Sequence, residues 1–173
     1  MQLDIAKTTI FKEAKSVSQS IKIKGITIRN FKSLFAPSFE TGNVNVFIGA
    51  NGSGKTSVLE AIGVLSAAMT DRVNNNSLQR KGVRLSTSSL YKSKFADIVK
   101  ESPTVEFSLK WGKDSHEYQY NTHLTAPVGD DSWKYHTESV SRVGIIVFGR
   151  SNRSKSHMNN KVGYDSLSDR LAS

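Results

Sequence analysis

The chain has 173 residues, the length of one ordinary domain and enough to bury a core without disulfides or a structural metal. It contains no cysteine, which excludes disulfides, thiolate metal sites and cysteine nucleophiles, and it fits a reducing compartment, so the cytoplasm is the expected location. Lysine and arginine exceed aspartate and glutamate by 24 − 15 = +9, a surplus that favours nucleic acid or nucleotide phosphates as partners, although the basic residues are spread along the whole chain.

In chain order, residues 1–20 read as an N-terminal extension with a short helix expected over Ile10 to Val17. No apolar run reaches membrane-spanning length, and charges at Asp4 and Lys7 fall where a signal peptide needs its apolar stretch, so no membrane partner is expected. The alternation Ile21, Ile23, Ile26, Ile28 predicts a half-buried strand with a bulge at Gly25, followed by a turn region from Asn30 to Pro37. Val44 to Ile48 is a β-branched run predicted as the strand that delivers the chain into Gly49. Val58, Leu59, Ile62, Leu65 and Met69 then recur at spacings that predict a helix over Ser57 to Met69 with one buried face, weakened slightly by Gly63. This strand–loop–helix unit spans 44–69.

Residues 70–95, rich in Asn, Ser, Arg and Lys, predict an irregular, partly mobile segment with little core. Three apolar pieces, Thr104 to Trp111, Glu117 to Leu124 and Trp133 to Ser139, are separated by turn clusters and predict an antiparallel meander over 104–139. Val143 to Phe148 is almost continuously apolar, the pattern of a strand buried on both faces, and 149–173 is a basic polar tail. There is no internal repeat.

The chemistry is concentrated in Gly49-Ala50-Asn51-Gly52-Ser53-Gly54-Lys55-Thr56, which fits G-x-x-x-x-G-K-[ST] at every constrained position. Glycines let successive amide N–H groups point into one concavity, and the following helix N-terminus favours the same anion. Lys55 would reach the β- and γ-phosphates, and the Thr56 hydroxyl would take one place on Mg²⁺. A chance match somewhere in a chain this long is a roughly one per cent event, so the loop is assigned to a nucleoside triphosphate, ATP with magnesium. Hydrolysis also needs a strand ending in carboxylates. Asp130-Asp131 follows Ala-Pro-Val-Gly, a loop, and Val143 to Phe148 ends in Gly149-Arg150, so no catalytic residue is identified. His116, His123, His136 and His157 lack metal-ligand spacing.

Ile26-Thr27-Ile28-Arg29-Asn30-Phe31-Lys32-Ser33-Leu34, together with the unbroken run Val46 to Ile62, resembles the N-terminal half of ATP-binding-cassette heads of the RecF/SMC type, including the ATPase parts of OLD-like bacterial defence nucleases. The resemblance implies an α/β P-loop NTPase of ABC-head type with an antiparallel β subdomain, represented over 21–173 as an incomplete head. It implies ATP and Mg as cofactors, with Gly49, Asn51, Gly52, Ser53, Gly54, Lys55, Thr56 and Ser57 around the triphosphate and Lys32 and Asn30 beside it. Implied partners are a second ATPase head in a homodimer or higher assembly, nucleic acid, and a nuclease partner or downstream domain in DNA repair or antiviral defence. The stretch Phe95 to Ile98 and the strands after it look like the antiparallel subdomain. The departures are also specific. Gly149 to Arg153 lacks the family's switch glutamine, and Leu167-Ser168-Asp169-Arg170 lacks the signature glycines. Turnover by these residues alone is therefore not expected. Arg150, Arg153 and Lys155 form a basic cluster directed at the nucleotide or at DNA. Two other readings stay open: a P-loop kinase or phosphotransferase, and a nucleotide-binding scaffold without hydrolysis.

Overall fold

The computed structural model describes residues 20–70, 72–93, 104–113, 115–126 and 133–151, and the backbone of 154–158. Strand β1 (Lys22–Arg29) is followed by β2 (Ser38–Glu40), helices α1 (Lys55–Thr70), α2 (Asn75–Arg80) and α3 (Ser88–Tyr91), and strands β3 (Val105–Lys113), β4 (His116–Thr125), β5 (Lys134–Arg142), β6 (Ile145–Ser151) and β7 (Ser154–Met158). The strands form one seven-stranded sheet in the order β2-β1-β3-β4-β5-β6-β7, and every neighbouring pair is antiparallel.

Alternation dictates which face is covered, because successive side chains of a strand point to opposite sides. Ile26 and Ile28 of β1, Val105, Phe107, Leu109 and Trp111 of β3, and Tyr120 and Leu124 of β4 are buried and join Ala61, Val64, Leu65 and Ala68 of α1 in one core. The register slips between Ile23 and Gly25, so β1 carries its bulge there. Helix α1 is buried more broadly than a single stripe, since Glu60, Gly63 and Ala67 are covered as well. Leu59, expected in the core, is 60% exposed and lies on the uncovered side of the helix.

Three further expectations are corrected. First, Val44 to Ile48 is not in the sheet: Val44, Val46 and Ile48 are 82%, 76% and 91% exposed, and only Phe47 turns inward, edge-on to Phe39 at 5.5 Å. The β-branched run forms no strand and pairs with none among the described residues. Second, 72–93 contributes core. Val73, Leu78, Val83 and Tyr91 are buried, and α2 is closed by a capping box in which the Asn74 side chain accepts from the Ser77 amide at 2.9 Å and Ser77 Oγ accepts from the Asn74 amide at 3.0 Å. A low apolar count hid this: only six apolar residues fall in 72–93, and four of them are buried while Leu85 and Leu90 are exposed. Gly63 explains how the segment lies so close: a Cβ there would meet Val83 Cγ2 at 2.7 Å and the Lys81 carbonyl at 2.8 Å. Third, Val143-Gly144 is a tight turn with positive φ at both residues, and Ile145 and Ile146 are exposed, so β6 is a hairpin arm and not a doubly buried strand.

Candidate functional site

The loop 49–57 follows the exposed Val44 to Ile48 segment and enters α1 at Lys55. Gly52 and Gly54 adopt φ of +82° and +93°, and the Ser53 amide donates to the Ala50 carbonyl at 3.2 Å, which curls the backbone. Gly54 also has no room for a side chain, because a Cβ would stand 3.1 Å from Leu34 Cδ2 and 3.2 Å from Ser33 Oγ. The turn after β1 is thereby pressed against the loop, and Ser33 Oγ and Ser57 Oγ share a hydrogen bond of 2.9 Å. The two sequence runs that carried the family resemblance thus form one structural unit.

Lys55 folds back over this concavity. Its ammonium donates to the carbonyls of Gly49 and Ala50 at 2.6 Å each, with Ser53 Oγ at 3.4 Å. Asn51, Gly52, Ser53 and Thr56 are exposed, and the first turn of α1 holds no acidic side chain to repel an anion. A glycine-bent loop, a lysine folded over it and an exposed threonine are residues that could hold a magnesium-bound triphosphate. There Mg²⁺ would neutralise phosphate charge, with Thr56 as this chain's ligand.

Beside the loop lies a cavity of ≈ 660 Å³ lined by Lys32, Ser33, Ser57, Arg84, Ser86 and Lys92, among others. Two of its three cations, Lys32 and Arg84, are held by one carboxylate. Glu60, 2% exposed, accepts from Lys32 Nζ at 2.6 Å and from Arg84 Nε at 2.8 Å. Burial alone would raise the Glu60 carboxyl, but the hydrogen bonds from Arg84 and Lys32 and the Lys32 charge hold it below its ordinary value of 4.5. The same contact raises Arg84. Lys32 adopts a left-handed φ of +50°, and its ammonium lies 5.6 Å from the Phe31 ring centre and 5.2 Å from that of Tyr91. Asn30 is buried and its side-chain amide donates to the Thr104 carbonyl at 2.8 Å, so it pins the turn to the start of β3.

The structure therefore brings Lys32 to the loop together with Arg84, Ser86 and Lys92, which the sequence reading did not single out. Glu60 carried a signal in the sequence: it is the single carboxylate of α1, flanked by the apolar Leu59 and Ala61. The basic cluster expected near Arg150 takes another form. Arg150 lies within β6, donates to Glu138 at 2.5 Å and stands 4.4 Å over the Tyr135 ring, so its guanidinium is engaged in the sheet. Strand β6 is antiparallel to both of its neighbours, so Arg150 does not stand at the ligand-binding end of a parallel sheet. Arg153, the Phe95 to Ile98 stretch, Asp130, Asp131 and the Leu167 to Arg170 stretch lie outside the described residues, as does the side chain of Lys155. His116 and His123 sit in β4 and His136 in β5, and no group of metal-binding side chains occurs among the described residues.

A glycine-bent loop opening a helix, closed by its own lysine and seated beside a basic cavity, defines the class: a P-loop nucleotide-binding protein. The chain belongs to the AAA ATPase domain family, whose profile matches residues 21–137. It is also 43% identical over 51 residues to the DNA replication and repair protein RecF of Francisella tularensis subsp. mediasiatica (strain FSC147). That match covers 29% of this chain and 15% of the RecF chain, so the chain spans far less than two thirds of the relative it matches. No described helix is long and apolar enough to cross a membrane.

Proposed function

We propose that the protein binds ATP with magnesium through Gly49 to Ser57, with Lys32 and the adjoining basic cavity taking the rest of the nucleotide. In this reading the chain is the nucleotide-binding half of a RecF/SMC-type head, which works by ATP-dependent pairing with a second head in a DNA-processing or antiviral defence assembly. The observation that carries the nucleotide assignment is Lys55, whose ammonium caps the loop concavity where phosphate oxygens would displace the carbonyls of Gly49 and Ala50. The incomplete head is supported by Val44, Val46 and Ile48, an exposed β-branched edge beside the loop that further strands would pair with and cover. The similarity to RecF favours DNA as the substrate of the assembly.

Among the described residues no strand delivers a carboxylate pair to the loop, and Glu60, the acidic residue nearest in sequence, is spent on Lys32 and Arg84. The catalytic carboxylate is accordingly assigned to another part of the assembly. Calorimetric titration of the full-length protein with ATP tests the reading. Lys55→Ala is expected to abolish measurable binding while the protein stays folded, and equal affinities of the two would sink it. A phosphate-release assay on these 173 residues alone is expected to stay at background.

A further inference from the structure

We propose that Glu60 is a positioning residue for the nucleotide cavity: one buried carboxylate fixes Lys32 and Arg84 as its cationic walls. The inference rests on the nucleotide reading above and deepens it.

Glu60 lies five residues after Lys55 on the same helix, so the carboxylate and the phosphate loop share one rigid element. Its two oxygens are divided. Oε2 accepts from Lys32 Nζ at 2.6 Å, and Oε1 accepts from Arg84 Nε at 2.8 Å and from the Arg84 backbone amide at 3.3 Å. Lys32 comes from the turn after β1, and Arg84 from the segment after α2. Neither element is otherwise fixed to the helix at this point by a charged contact among the described residues. Both cations line the cavity beside Ser57. Two positive charges on one carboxylate leave a net charge of one, to which Lys92 adds, so the cavity remains attractive to an anion.

The bland alternative is a salt bridge that only closes the core, and it explains the arrangement poorly. Buried ion pairs stabilise little, because desolvation offsets most of the attraction, and an apolar residue would serve a core better. Lys32 also bears a left-handed backbone, a strained state for a non-glycine residue. Arg84 is the more telling partner. Its side chain is 75% exposed although Nε is anchored on a carboxylate that is 2% exposed. The terminal nitrogens of its guanidinium make no hydrogen bond among the described residues, so they are oriented and left available to a ligand.

The test is ATP affinity of the full-length protein, measured by titration, alongside thermal melting. Glu60→Gln, which keeps the side-chain shape and removes the charge, is expected to weaken ATP binding about tenfold in the folded protein. Lys32→Met and Arg84→Gln are each expected to weaken it, and Glu60→Gln added to the Lys32→Met, Arg84→Gln double variant is expected to change it less than about twofold, because the carboxylate then has nothing to position. A purely structural Glu60 would lower the melting temperature and leave the affinity of the folded protein unchanged; that result overturns the proposal, as does a full additive loss in the triple variant. Should Glu60→Gln fail to fold, Lys32→Met and Arg84→Gln decide: less-than-additive losses uphold the shared anchor, and unchanged affinity in both overturns it. Lys55→Ala separates this from the parent reading. If Lys55→Ala loses ATP and Glu60→Gln does not, only the positioning role fails; if the wild type does not bind ATP, the nucleotide assignment itself falls.

Discussion

Residues 44–57 and strands β3 to β6 satisfy their polar groups in different ways. In the sheet each of these strands is hydrogen-bonded on both edges, and the buried Glu138 is enclosed by Tyr120 Oη and Arg150 Nε at 2.5 Å each. The hydroxyls of Tyr120 and Tyr135 both reach the Ala68 carbonyl of α1, and burial together with Glu138 pushes the Tyr120 phenol up, so it stays a donor. Along Val44 to Ile48 no backbone–backbone hydrogen bond occurs among the described residues, and the loop that follows is held by Lys55, the Ser53–Ala50 turn bond and the hydrogen bond between Ser33 Oγ and Ser57 Oγ. Under the proposed function, the exposed 44–57 side is where phosphate and further strands would bind.

The largest expected effect falls on the seam between the two regions. Phe31 is fully buried, touches the rings of Tyr91 and Phe107, and bridges Leu34 and Lys92 from the turn that presses on Gly54. Phe31→Ala should cost about 3–5 kcal/mol of stability by denaturant unfolding and should weaken ATP binding as well. Loss of stability with full ATP affinity would show that the loop does not depend on the core beneath it.

Glu138→Ala against Lys55→Ala sharpens the contrast. Removing Glu138 leaves a buried phenol and a partly buried guanidinium without their acceptor and should cost about 2–3 kcal/mol. Lys55→Ala should stay within about 0.5 kcal/mol, since its contacts are exposed loop carbonyls. Comparable losses in the two variants would break the comparison. Next comes Val46→Ala in the full-length protein, expected to cost about 1–2 kcal/mol because a covering strand would bury that side chain. A change within about 0.5 kcal/mol would mean that the edge is solvated in the working protein.

How far the sequence foretold each region follows from the same physics. The loop is defined by local backbone demands, such as the positive φ of Gly54, and such demands leave an invariant spacing in one short run. Strands β1, β3 and β4 were legible from alternation because one sheet face is covered and the other open. Long-range pairing was not legible. Nothing local says that Lys32 and Arg84 meet on Glu60, or that Arg150 stacks on Tyr135. Val44 to Ile48 shows the opposite failure: its β-branched pattern predicts a strand, but it pairs with none among the described residues. In 72–93 composition misled, since four buried apolar side chains suffice to anchor a short segment.

The smallest effect is a pH dependence, and it tests whether the cation pair on Glu60 is electrostatic. The carboxyl is held below its ordinary value of 4.5 because the hydrogen bonds and charge of Arg84 and Lys32 outweigh the upward push of burial. A folded value below the unfolded one means that the unfolded chain binds the proton more readily. The stabilisation is therefore fully present above about pH 4.5 and is lost as pH falls through the folded value. Unfolding free energies of wild type and Glu60→Gln, measured by urea from about pH 7 down to about pH 3, should converge toward the acid end, since the variant has no proton to take up there. Glu117, also depressed, by Lys24, is common to both proteins and cancels in the difference. Parallel curves would mean that the Glu60 contacts hold equally well without charge, which would leave Lys32 and Arg84 in place but remove the electrostatic reason for a carboxylate at this position.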